Sequence, residues 1–179
     1  MAQFKPPFET FAKIKVVGVG GSGGNALAHM VQKKIRGVEF LAINTDAQDL
    51  HHVPAPHKLH IGAQATRGLG AGMDPSVGRQ AAEESRKDIE QALKGADMVF
   101  VTCGLGGGTG SGAAPLVAQI AREDAGALVV GVVTKPFSFE GKQRMQIADD
   151  AWQNLKDQVD ALVTIPNDRI MSIIDRKTS

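Results

Sequence analysis

This sequence predicts a three-layer, doubly wound α/β fold, with a mostly parallel sheet and helices on both faces. Three observations predict it. Short apolar runs alternate with segments whose apolar residues recur at helical spacing, the pattern of strand–helix–strand units. Two of those runs end in glycine-rich turns that open directly into a helical pattern. No internal repeat, linker or low-complexity tract divides the 179 residues, which are enough for one domain with a real core.

Taken in order, residues 14–19 form the first strand. Leu27, Met30, Val31 and Ile35 follow at helical spacing, and Gly37 can end that helix. Residues 38–43 form the second strand. From 48 to 72 the pattern dissolves into Pro, His and Gly, which predicts a long loop with one short strand near 59–61. Asp74-Pro75 supplies an N-cap and a proline at the first helical position. The helix it starts runs to about Lys94, with Glu83/Lys87 and Glu90/Lys94 at i,i+4, and stops at Gly95. Strands at 98–103, 128–134 and 162–165 alternate with one helix carrying Ala113, Leu116, Val117, Ile120 and Ala121 and another carrying Met145, Ala148, Trp152, Leu155 and Val159. Pro166-Asn167-Asp168 then starts a last helix.

Composition narrows the function classes. Lys and Arg number 20 against 19 Asp and Glu, a net charge of +1; this leaves no electrostatic footprint for nucleic acid. The longest apolar runs fall far short of a membrane span, so no direct membrane insertion is expected. The N-terminus lacks the basic start and apolar core of a signal peptide. A single cysteine, Cys103, excludes an intramolecular disulfide and fits a reducing cytoplasm. With no sequence feature supplying a base beside it, Cys103 reads as a buried structural thiol. His51, His52, His57 and His60 share one loop, but their spacing matches no zinc pattern, and a solvated loop is the expectation.

The 21 glycines carry the chemistry. Gly18-Val19-Gly20-Gly21-Ser22-Gly23-Gly24-Asn25 follows the first strand and opens the first helix. Exposed amides and the helix dipole at such a turn make an anion site. Gly18, Gly20 and Gly23 also satisfy the G-x-G-x-x-G pattern of dinucleotide-binding folds, which leaves an NAD-dependent oxidoreductase as the rival reading. That rival wants an acidic residue ending the second strand; the strand ends at Asn44, with Asp46 two residues later. A second turn, from Gly104 to Gly112, holds Gly104, Gly106, Gly107, Gly108, Gly110 and Gly112. So much glycine is costly in backbone entropy unless the conformation needs it. A dinucleotide fold needs one such loop, whereas two cradles on the carboxyl edge of one sheet suit a di- or triphosphate chain. No Gly-Lys-Ser/Thr occurs, so this is no P-loop, and phosphate would be held by neutral amides and helix dipoles.

The run Gly-Gly-Gly-Thr-Gly-Ser-Gly from Gly106 to Gly112 resembles the signature loop of the tubulin/FtsZ family of filament-forming GTPases, whose nucleotide domain is Rossmann-like. Asn44-Thr45-Asp46-Ala47-Gln48, Gly68-Leu69-Gly70-Ala71-Gly72, Val133-Thr134-Lys135-Pro136-Phe137, Phe139-Glu140-Gly141-Lys142, Arg144-Met145 and Ile165-Pro166-Asn167-Asp168 resemble the FtsZ branch rather than eukaryotic tubulin. The resemblance spans roughly residues 14–169 in order. It implies a GTP-binding domain over 13–168, an N-terminal extension over 1–12 and the start of a central helix over 169–179.

The resemblance also implies site roles. Gly21, Ser22, Gly23, Gly24 and Asn25 would contact the α/β-phosphates, with Asn25 reaching the guanine. Ala71 and Gly72 would offer amides near the γ-phosphate. Gly107, Gly108, Thr109 and Gly110 would cradle the phosphates, the Thr109 hydroxyl adding a donor. Glu140 and Arg144 would hold the ribose, and Asn167 would lie against the base. Read from spacing alone, Glu140 and Arg144 are an i,i+4 surface pair, Asn167 or Asp168 caps a helix, and Asp46 either orients a magnesium-bound water or closes a turn. GTP or GDP with Mg2+, held mainly by phosphate and water, is the implied ligand; no protein metal ligand is expected. Ser22 replaces a common glycine of the family, Ser111 a frequent threonine, and Met73-Asp74 a common Gly/Ala-Asn.

In this family hydrolysis is completed between subunits of a head-to-tail homo-oligomeric filament. The expectation is that the catalytic loop, the guanine-reading carboxylate, a second domain and a C-terminal tail for division-machinery adaptors lie beyond Ser179. No catalytic residue is therefore expected within this chain, which should bind nucleotide with little turnover.

Overall fold

The computed structural model describes residues 12–171. The expected 1–12 extension thus lies, apart from its last residue, outside the described residues, as does the central helix beyond Met171. Among the described residues six strands form one sheet in the order β3-β2-β1-β4-β5-β6. They are β1 (Ile14–Val19), β2 (Val38–Asn44), β3 (His57–His60), β4 (Met98–Gly104), β5 (Leu128–Lys135) and β6 (Ala161–Pro166). Every pairing is parallel. The doubly wound expectation holds.

Parallel strands need crossover helices, and the alternating side chains decide which face each helix covers. Val17, Val19, Leu41, Ile43, Val99, Val101, Val129 and Val133 form one face of the sheet. They pack with Ala81, Ile89, Leu93, Val117, Ile120, Ala148 and Leu155. Those residues come from α4 (Pro75–Glu84), α5 (Arg86–Leu93), α6 (Gly108–Glu123) and α7 (Lys142–Lys156). On the opposite face Val16, Phe40 and Ala42 pack with Leu27 and Leu50 from α1 (Gly20–Gln32) and α2 (Ala47–His52). Past β4 this second face is less covered: Leu128, Val163 and Ile165 are exposed there. Cys103 is buried in the first core cluster, and burial pushes its thiol up to about 12. The neutral thiol suits the fold at neutral pH, and its contribution to stability falls only as pH rises from 9.0 toward that value.

Four expectations need correction. The first helix starts inside the glycine turn at Gly20 and ends at Gln32, before Gly37, because Lys34 turns to φ 55°. The 48–72 stretch is not a long loop. It holds α2, β3 at 57–60 rather than 59–61, and α3 (Ala63–Thr66). Asp46 Oδ1 caps α2 by accepting Gln48 and Asp49 N–H at 2.9 Å each, and Glu84 caps α3 by accepting Gln64 and Ala65 N–H. The single helix expected to reach Lys94 breaks at Ser85, which leaves helical geometry with φ −102° and ψ 18°; its Oγ accepts Gly62 N–H at 3.1 Å. The expected Glu90/Lys94 helical pair is lost with Lys94 outside α5, and Glu83 lies 3.8 Å from Arg86. Asp74 does cap α4, with Pro75 behind it. The Ser76 hydroxyl and then its amide hold the Asp74 carboxyl below its ordinary range.

Candidate functional site

In a doubly wound sheet the chain leaves neighbouring strands in opposite directions at one point, and a crevice opens there. Here that point lies between β1 and β4, paired from Ile14/Met98 to Gly18/Thr102. Both glycine turns emerge from it on the same edge. They touch: a Cβ on Gly20, which sits at φ +73°, would lie 3.0 Å from Gly110 N.

Each turn is the start of a helix whose first N–H groups lack intrahelical partners. No side chain caps α1 or α6, and neither has an acidic residue in its first turn. The contrast lies within the same molecule, where Asp46 caps α2 and Asp74 caps α4. The uncapped N-termini of these two helices, thirteen and sixteen residues long, thus lie side by side, each with main-chain donors at the positive end of its dipole. Gly107, directly before α6, has open space where a Cβ would go.

The 68–72 segment forms another wall. Gly70 N–H donates to Thr45 O, and Ala47 N–H to Gly68 O, so this turn is laced to the end of β2. A Cβ on Gly108 would meet the Ala71 Cβ at 2.8 Å and Asp74 N at 2.9 Å, which puts Ala71 against the start of α6. Gly72, at φ +55°, faces open space. Asp46 lies beside this turn, bridged to Leu69, and its Oδ1 is engaged in capping α2.

Beyond the second glycine turn, a Cβ on Gly106 would lie 2.7 Å from Pro136 Cγ and 3.0 Å from the Arg144 carbonyl. The start of α7 therefore abuts the turn and brings Glu140 and Arg144 with it. Glu140 Oε1 accepts Phe137 N–H at 2.8 Å, and Oε2 accepts from Arg144 at 2.8 Å. Arg144 Nε is buried without a hydrogen-bond partner. Asn167 begins α8 (Asn167–Met171) at the end of β6, and its neighbour Asp168 accepts Ser138 N–H at 3.0 Å. Asn25 is exposed within α1.

Three residues near the turns gain roles that the sequence reading did not assign. Thr45 Oγ1 lies 2.6 Å from Thr109 Oγ1, both buried, so the Thr109 hydroxyl is tied to β2. Asp49 Oδ2 accepts from Asn44 Nδ2 at 2.7 Å and would lie 3.0 Å from a Gly21 Cβ. Asn44 Oδ1 also accepts Thr45 N–H at 2.9 Å. The Asn-Thr-Asp run was visible as a motif, but bonds spanning 64 residues have no local signal. Two of the four loop histidines meet backbone carbonyls, His52 Nδ1 at Gln48 O and His60 Nε2 at Thr45 O, and the His51 ring stands edge-on to His52. Among the described residues no group of three or more His, Cys, Asp or Glu is placed to hold a metal ion, and no helix is long and apolar enough to cross a membrane.

Fold and site together define a doubly wound domain with two uncapped, glycine-rich helix N-termini side by side at its switch point. The model of the Tubulin/FtsZ family, GTPase domain, matches residues 13–175, and the chain belongs to that family. It is similar to a solved structure described as FtsZ W319Y mutant from M. jannaschii, at 49% identity and TM-score 0.91 over 94% of this chain and 50% of that one. It is likewise similar to CetZ2 from Haloferax volcanii, described as a GTPgS-bound protofilament, at 28% identity and TM-score 0.82 over 93% of this chain and 52% of that one. A GDP-bound CetZ1 monomer from the same organism gives 28% identity and 0.80 over 93% and 54%. The chain spans about half the length of each.

Proposed function

We propose that this domain binds GTP and GDP through the paired turns, and that in the whole protein it forms the nucleotide site of a head-to-tail, cell-division-type filament. The observation that carries the reading is the pair of adjacent uncapped helix N-termini at the β1/β4 switch point. The amides of Gly21, Ser22, Gly23 and Gly24, with Asn25, take the α/β-phosphates. Those of Gly107, Gly108, Thr109 and Gly110 take the phosphates from the other side, and Ala71 and Gly72 approach the γ-phosphate. Glu140 and Arg144 hold the ribose, and Asn167 lies against the base. The Thr109 hydroxyl, paired with Thr45, shapes the turn, and the Thr109 amide adds a phosphate contact. Asp46 and Asp49 stand close enough to the turns to meet a hydrated magnesium ion, whose role is to balance phosphate charge.

Self-assembly is supported by the site's rim, where Leu69 is 82% and Phe139 74% exposed, with Phe139 stacked on Phe137 at 5.0 Å. Large apolar side chains left open beside the site suit contact with a neighbouring copy. One M. jannaschii FtsZ structure is described as a dimer and the CetZ2 structure as a protofilament. Hydrolysis, completed by acidic residues from a neighbouring subunit, belongs to the same proposal.

Thermal denaturation with ligands separates this reading from the dinucleotide one. GTP with magnesium at about 100 times its Kd should raise Tm by roughly 5–10 °C, and NADH should leave it unchanged. The opposite ranking would reject the proposal.

A further inference from the structure

We propose that Ser22 is a positioning residue that ties the two glycine turns together and sets how long a bound nucleotide is retained; this rests on the nucleotide site proposed above. The β1–β4 ladder ends at Gly18/Thr102, so strand hydrogen bonding no longer joins the turns past that pair. The next tie is a side chain. Ser22 Oγ accepts the Gly104 N–H at 2.9 Å, across 82 residues of sequence. Gly104 fits this partner: a Cβ there would come within 2.5 Å of Ser22 Oγ and 3.3 Å of Thr134 Oγ1. On its other side the segment is already fixed, because β4–β5 pairing continues through Gly104/Thr134 and Leu105 N–H donates to Thr134 O. Ser22 secures the edge that faces β1.

A hydroxyl has one donor and two acceptor lone pairs. Accepting the Gly104 N–H leaves the Ser22 hydrogen free, and the residue is exposed at the crevice. Its orientation is set by the bond it already makes, so it presents a directed donor to a phosphate oxygen. Loss of the hydroxyl removes that donor and releases the spacing of the turns. A loosened site has to be ordered by its ligand, and such costs appear mostly in the dissociation rate.

The test is stopped-flow kinetics with a fluorescent GDP analogue and magnesium on the unmodified chain, Ser22→Ala and Ser22→Thr. Ser22→Ala should release the analogue about three to ten times faster, the worth of one net hydrogen bond. Association should change by less than about twofold, and Ser22→Thr should restore slow release. Unchanged release in Ser22→Ala, or release from Ser22→Thr as fast as from Ser22→Ala, overturns the proposal. Amide hydrogen exchange at Gly104 in the nucleotide-free protein tests the tie by itself: exchange should be slow in the unmodified chain and faster in Ser22→Ala. Equal exchange refutes the tie whatever binds. If the unmodified chain binds no GDP, the nucleotide reading fails and takes the retention claim with it, while the Gly104 comparison still decides whether the tie exists.

Discussion

Gly107→Ala is expected to abolish most nucleotide affinity while leaving the fold intact. Gly107 sits at φ −103° and ψ 179°, an extended conformation that alanine adopts freely. A Cβ there meets nothing within 4 Å, so no protein atom has to move. The added methyl enters the space that the account reserves for phosphate, at the lip of α6. Forcing one methyl into a close contact costs about 1–3 kcal/mol, so affinity should fall roughly tenfold to hundredfold. Titration of GDP followed by calorimetry measures this. A melting temperature near that of the unmodified chain, together with a weakened Kd, is the expected pair of results. Undiminished GDP affinity would show that the ligand does not approach this turn.

The second large effect runs the other way. Gly112→Ala should destabilise the protein by about 3 kcal/mol or more, lowering Tm by roughly 6–12 °C. Gly112 is the fifth residue of α6, where α4 crosses it without a side chain between them. A Cβ would collide with the Pro75 carbonyl oxygen and come within 2.7 Å of Arg79 N. These are backbone atoms, so rotamer changes cannot relieve the clash. Gly78 answers from α4, where a Cβ would lie 3.1 Å from Thr109 Cα. The same crossing holds the 68–74 segment against Gly108, so binding should weaken along with stability. Differential scanning calorimetry reads the loss directly; a stable Gly112→Ala variant would mean that the two helices are not packed this closely.

These two glycines show how far the sequence could be read. The strands were legible because their apolar runs are local signals bounded by glycine, and the two turns because glycine clusters where backbone meets ligand. Glycine alone does not say which need it serves. Within the run from Gly104 to Gly112 the glycines serve different neighbours: Gly112 makes room for α4, Gly104 for Ser22 and Gly106 for Pro136 and Arg144. Gly107 is the residue of that run that opens onto free space.

The breaks and short helices were not legible for a related reason. Ser85 ends α4 through a bond to Gly62, 23 residues away, and α3 begins where Glu84 accepts its amides. A helix of four residues has no periodicity to detect; long-range caps define it. The Glu140–Arg144 pair was visible by spacing and forms as expected. Its position beside the second turn depends on how α7 meets Gly106, a tertiary fact. The pairing of the Thr109 hydroxyl with Thr45, 64 residues away, is equally a tertiary fact.

The most direct measurement is calorimetric titration of the unmodified chain with GDP, GMP and guanosine, each in magnesium buffer. If main-chain amides of both turns hold the phosphates, affinity rises steeply from guanosine to GMP to GDP. Equal binding of all three, or binding of none, would contradict the account.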